Sequence, residues 1–212
     1  MRFLLPASVL LVLTACAGKV DYVRPTTQIA PGSNVRIIER PRDAVWSASV
    51  PELGKQFFVI NNIDKASGLM NLSYTGDPER YVDCGRITSY VQNARGERTY
   101  DFAGAKAQQS YEIMDPGAGL FLIDRRMSLE GRVNLIFEEV GPNSTRITAN
   151  TRYVVNRTQI RRNAANNFPQ TSTDTVSFNS GSGASFPANT SGRAAECVST
   201  GGLEREILSA IK

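Results

Sequence analysis

The sequence predicts an α+β fold, a curved antiparallel sheet with an N-terminal and a C-terminal helix packed on one face. Three observations carry this. Trp46, Val50, Leu53 and Phe57 recur at helical spacing. Met127, Leu129, Val133, Leu135 and Phe137 alternate with Ser128, Glu130, Arg132, Asn134, Ile136 and Glu138, a face that is polar apart from Ile136. Ile147, Ala149, Thr151, Tyr153 and Val155 repeat that pattern beyond Gly141-Pro142-Asn143-Ser144. Two neighbouring runs of period two read as the central hairpin of a sheet with one solvated face. Leu203, Ile207 and Ile211 then share one face of a terminal helix, with Thr200 as its cap.

In chain order, residues 1–15 form one unit, 16–40 a flexible tether, and 41–212 one folded domain. Residues 17–40 carry Pro25, Pro31, Gly32 and no clean period, although Val35 to Ile38 could add a strand. Pro41 and Asp43 suit the start of the first helix, expected over 42–55 with a kink or break at Pro51. Trp46, the single tryptophan, is expected in the core. Phe57 to Ile63 and Leu69 to Tyr74 read as a hairpin about Asp64 to Gly68. Ile87 to Val91 and Arg98 to Phe102 read as a second. Residues 103–110 read as a loop, Gly131 as a bend or bulge, and 156–173 as an exposed polar excursion. Thr175 to Phe178 and Ala184 to Phe186 are expected to be further strands.

The first fifteen residues have the layout of an export signal. Arg2 is the positive start, and Phe3 to Leu13 is apolar apart from Pro6 and Ser8. The run is too short for a membrane span. It ends in Leu13-Thr14-Ala15-Cys16, which resembles the bacterial lipobox at all four positions. The resemblance implies cleavage before Cys16 and lipid on its thiol and new amino group. Two or more acyl chains give a durable tether. That covalent lipid is the only cofactor expected. The next residue is Ala17, not the aspartate that resembles an inner-membrane retention signal in enterobacterial lipoproteins. The resemblance therefore implies the periplasmic face of the outer membrane.

An oxidising compartment changes the meaning of the other cysteines. Cys84 and Cys197 are the two that remain, and such a pair reads as a disulfide. Its Cα atoms are expected about 4.4–6.8 Å apart.

Several function classes are disfavoured. The net charge of +4 is mild and its basic residues are scattered, which argues against a nucleic-acid partner. The chain has no histidine, which removes Ser-His-Asp and Cys-His chemistry and histidine metal sites. Two free thiols are too few for structural zinc. A Ser-Lys dyad on Lys55, Lys65 or Lys106 has no motif behind it. A carboxylate pair drawn from Asp64, Asp77, Glu79, Asp83, Asp101 and Asp124 would use acids that sit mostly in predicted turns. No catalytic residue is assigned. Arg157, Arg161 and Arg162, in the polar excursion, are the candidate partner-binding residues.

The stretch from Val45-Trp46 through Leu53, then Phe58 to Asp64, then Gly68 to Tyr74 resembles the start of a helix-grip domain of the BamC family of outer-membrane assembly lipoproteins. It implies a non-catalytic module that binds or scaffolds an envelope complex, with a protein of that assembly as partner. The alternative is a binder of a small apolar ligand in the concavity between sheet and helices.

Overall fold

The computed structural model describes residues 17–188 and 194–212. The fold is α+β and mostly antiparallel sheet, with two short helices. The strands are β1 (Ala17–Val23), β2 (Val35–Ile38), β3 (Val59–Asp64), β4 (Leu69–Gly76), β5 (Val82–Asp83), β6 (Arg86–Asn93) and β7 (Gly96–Ala103). They continue with β8 (Gln108–Asp115), β9 (Gly119–Gly141), β10 (Ser144–Asn163), β11 (Pro169–Asn179), β12 (Gly183–Ser185) and β13 (Glu196–Ser199). The helices are α1 (Arg42–Gly54) and α2 (Gly202–Ala210). No helix among the described residues is long and apolar enough to cross a membrane.

A long hairpin, β9–β10, is the spine. Each of its outer edges is shared by two strands in succession. β4 pairs with residues 129–136 of β9, and β8 pairs with residues 119–126. β2 pairs with residues 145–148 of β10, and β11 with residues 152–162. β3 adds to β4 and ends the sheet. The molecule thus has two storeys along one spine. Both helices cover the lower storey and touch each other. The three-stranded sheet β1-β6-β7 lies by the upper storey, where β1 and β6 touch β8.

The lower storey holds the core that the alternation predicts. Leu129, Val133, Leu135, Phe137, Ile147, Ala149, Tyr153 and Val155 are all buried, as are Val45, Trp46 and Leu53 from α1 and Leu203, Ile207 and Leu208 from α2. The Trp46 and Phe137 rings meet edge to face at 5.0 Å. α1 is one helix that includes Pro51. Gly131 causes no register shift. A Cβ there would come 2.7 Å from Leu203 Cδ2, so the glycine admits α2 close to the sheet instead of bending the strand. Gly201, with φ 67°, caps α2, while Thr200 Oγ1 accepts the Gly202 amide at 3.2 Å.

Three expectations are corrected. Residues 17–40 are not a free tether. β1 pairs along its whole length with β6, from Ala17 opposite Gln92 to Val23 opposite Arg86. Val20 and Tyr22 alternate with Lys19 and Asp21, a signal too short to stand out, and the Tyr22 hydroxyl donates to the Glu196 carbonyl at 3.1 Å. β2 is fixed as well, because the Arg36 guanidinium donates to the Leu208 and Ile211 carbonyls at 2.5 and 2.8 Å. It thereby caps the carbonyl end of α2. Residues 103–110 are not all loop, because β8 begins at Gln108. Residues 156–173 are not a loop either, because they extend β10 and begin β11.

Candidate functional site

Cys84 and Cys197 are joined by a disulfide. Cys197 lies in β13, and Cys84 directly follows β5. The register Val198–Asp83 and Ser199–Val82 places Cys197 opposite Cys84 at the next step. The Thr200 amide donates to the Tyr81 carbonyl, and that bonded pair fixes the alternation along the two strands. The cysteines fall on a non-hydrogen-bonded position, where opposite Cα atoms approach most closely. Their Cα separation is 4.0 Å, just below the expected range. The bond ties the strand before α2 to the end of the first half of the chain.

The three candidate arginines are all placed on β10, and each holds a carboxylate of another strand of the sheet. Arg157 donates to Asp174 of β11 at 2.8 Å, with its side chain 13% exposed. Arg161 donates to Asp115 of β8 at 2.6 Å and lies over the Phe121 ring, 3.6 Å from its centroid. Arg162 pairs with Asp124 of β9, which also accepts from Ser110. These groups join strands of the upper storey. Alternation puts Arg157, Gln159 and Arg161 on the face that carries the core lower down. They occupy inward positions where apolar residues would have announced a strand.

Sequence reasoning missed Arg125. It is 3% exposed, donates to the Gly104 and Ala103 carbonyls at 3.0 and 3.3 Å, and stands 5.1 Å from the Phe102 ring centroid. Its Nε has no hydrogen-bond partner among the described residues. Burial lowers its pKa from the ordinary value. Arg125, Arg157, Tyr111, Gln159 and Tyr22 line a cavity of about 80 Å³ between the small sheet and the upper storey. Burial raises the pKa of the Tyr111 hydroxyl, so it stays a neutral donor there. The cluster can hold water or a small acceptor group. The only signal in the sequence was the Arg125-Arg126 doublet, which reads equally well as surface charge.

The acids weighed for catalysis are mostly tied down. Asp64 accepts two amides and a hydroxyl within its own turn, and Asp77 accepts the Glu79 amide. Asp83 accepts the Gly85 amide and the Thr27 hydroxyl, and Asp101 pairs with Arg86. Among the described residues no group of three or more potential metal ligands is gathered. Cys16 lies outside the described residues.

Two surfaces stand out. The first is β3, an edge strand that pairs only with β4 among the described residues. Phe57, Val59, Ile63 and Leu69 are exposed there, Val59 by 60%. A register shift between Ile60 and Asn62 interrupts the pairing. The second is the far end of the upper storey. There the turns β6–β7, β8–β9 and β10–β11 line one shallow depression beside Ala17. Comparison with known protein families, curated proteins and solved structures returns no match.

Proposed function

We propose that the chain is an exported lipoprotein, acylated at Cys16 and held on the periplasmic face of the outer membrane. There it serves as a non-catalytic binding or scaffold module of an envelope complex. The lipobox at Leu13 to Cys16 supports the anchor, and the Cys84–Cys197 bond fits an oxidising compartment. The likeness of Val45 to Tyr74 to helix-grip domains belongs to the same reading.

The observation that carries the binding role is the β3 edge. A strand edge without a second partner strand among the described residues, with Phe57, Val59 and Ile63 exposed, offers backbone pairing and apolar contact to an extended segment of a partner. The alternative, an apolar ligand between sheet and helices, has less support. The side chains on that side of the sheet are buried in one continuous cluster with those of α1 and α2.

A photo-crosslinking side chain at Val59 or Ile63 tests the role in intact cells. The reading expects a discrete protein adduct at these positions. No adduct at either, with adducts elsewhere on the surface, would overturn it.

A further inference from the structure

We propose that the end of the molecule bearing Ala17 seats directly on the bilayer, with the β6–β7, β8–β9 and β10–β11 turns meeting the lipid headgroups. This rests on acylation at Cys16. It adds an orientation and a second contact surface, which the anchor alone would not require.

The first argument is reach. Successive Cα atoms are about 3.8 Å apart, so an acylated Cys16 holds Ala17 within one peptide of the lipid. Ala17 is already opposite Gln92, which leaves no slack chain between anchor and sheet. A Cβ on Gly18 would collide with the Cβ of Met114, so the start of β1 also lies tight against β8. The headgroup layer is roughly 5–8 Å deep on each side of a bilayer. The β6–β7, β8–β9 and β10–β11 turns border one depression beside Ala17, so the end that carries the anchor presents them together to that layer.

The second argument is surface chemistry. Residues 94–96, 116–119 and 164–168 contain no acid. Phe168 is 71% exposed in the β10–β11 turn, and Ala94, Arg95, Pro116 and Ala164 are exposed in the same group of turns. Aromatic side chains favour the membrane interface, and arginine is drawn to anionic headgroups. Asp115, the acid that ends β8 just before its turn, is engaged by Arg161. Glu97 is exposed at the foot of β7.

The third argument is that the turns are braced. Asn163 Nδ2 donates to the Ala118 carbonyl at 3.0 Å, and the Phe168 amide donates to Asn166 Oδ1 at 3.1 Å. Asn167 takes φ 53°, which asparagine tolerates. The backbone that carries the exposed Phe168 is thus fixed by local bonds.

The seating also orients the proposed docking edge. β3 joins the spine through β4, at residues 129–136 of β9. At about 3.3 Å per residue that is roughly 30–55 Å along the strand from Gly119, clear of the membrane.

The test uses the acylated full chain in phosphatidylethanolamine–phosphatidylglycerol vesicles whose acyl chains carry bromine, a short-range quencher. Phe168→Trp and Ala94→Trp report the rim, and Asn143→Trp reports the opposite turn. Trp46, buried against Phe137 in the lower storey, is a shared reference. The proposal expects loss of the added emission at both rim positions and none at Asn143→Trp. Acylated protein with both rim emissions unquenched, or with the Asn143→Trp emission quenched as strongly as the rim, would overturn the seating. A mass showing no acyl group on Cys16 would overturn the anchor and the seating with it.

Discussion

The Tyr153 hydroxyl donates to Glu204 Oε2 at 2.7 Å, and both side chains are shut off from solvent. Ser180 donates to the other oxygen of the same carboxylate at 2.5 Å. Burial raises the Tyr153 pKa, with the Glu204 charge adding to it, so the phenol remains a donor. This pair fastens α2 to β10 from inside. Tyr153→Phe is expected to cost about 1–3 kcal/mol, because a buried acceptor loses a partner. Urea unfolding of the variant measures it, and an unchanged midpoint would show the bond to be dispensable.

Breaking the disulfide should cost more. Its sequence separation is 113 residues. A loop of that size corresponds to about 4–5 kcal/mol in the chain-entropy picture. The double variant Cys84→Ala, Cys197→Ala should melt well below the parent, and reduction should lower the parent to a similar temperature. Equal melting temperatures with and without reductant would contradict this.

Arg157→Ala is expected to lose stability rather than partner binding. It removes a charge-assisted bond to Asp174, a change of about 1.5–3 kcal/mol. It also uncovers the Phe186 ring, whose centroid lies 4.2 Å from the guanidinium carbon. Deleting residues 160–170 removes the paired ends of β10 and β11 and should lower stability too. If Arg157→Ala left the unfolding curve in place and abolished crosslinking, the arginine would be a contact residue.

Acid should weaken the upper storey. Asp124 has its carboxyl pKa lowered from 3.8 by the Ser110 hydroxyl and by Arg162. Asp101 is lowered from the same value by Arg86. A carboxylate with a depressed folded-state pKa adds stability that is complete above its unfolded value. That stability is lost as pH falls from there through the folded value. Unfolding midpoints should therefore drop below about pH 4, where these acids begin to protonate. Asp124→Asn should show a shallower drop, and a slope equal to the parent's would remove Asp124 from the account.

The lower storey was legible because apolar side chains announce it. Met127 to Phe137 and Ile147 to Val155 alternate, and those inward residues are buried. The upper storey was not, because its inward positions carry Arg125, Arg157, Gln159 and Arg161. Their partners Asp115 and Asp174 are distant in sequence, and a periodicity reading sees only polar residues. β1 was hidden for another reason. Its Val20 and Tyr22 gain meaning only once β6 lies alongside. The disulfide could be read from compartment and count, but the adjacency of Cys84 and Cys197 in register needed the strand pairing. The β3 edge was predicted as half of a hairpin, and nothing local to residues 57–63 says that its other side stays unpaired.

In the proposed function, Cys16 fixes this chain to the outer membrane. Intact mass of the mature protein, with membrane fractionation of wild type and Cys16→Ser, tests it most directly. The account predicts a wild-type chain beginning at Cys16, bearing acyl mass and found with the outer membrane, and a variant released into the soluble periplasm. A wild-type chain without acyl mass, distributed like the variant, would contradict it.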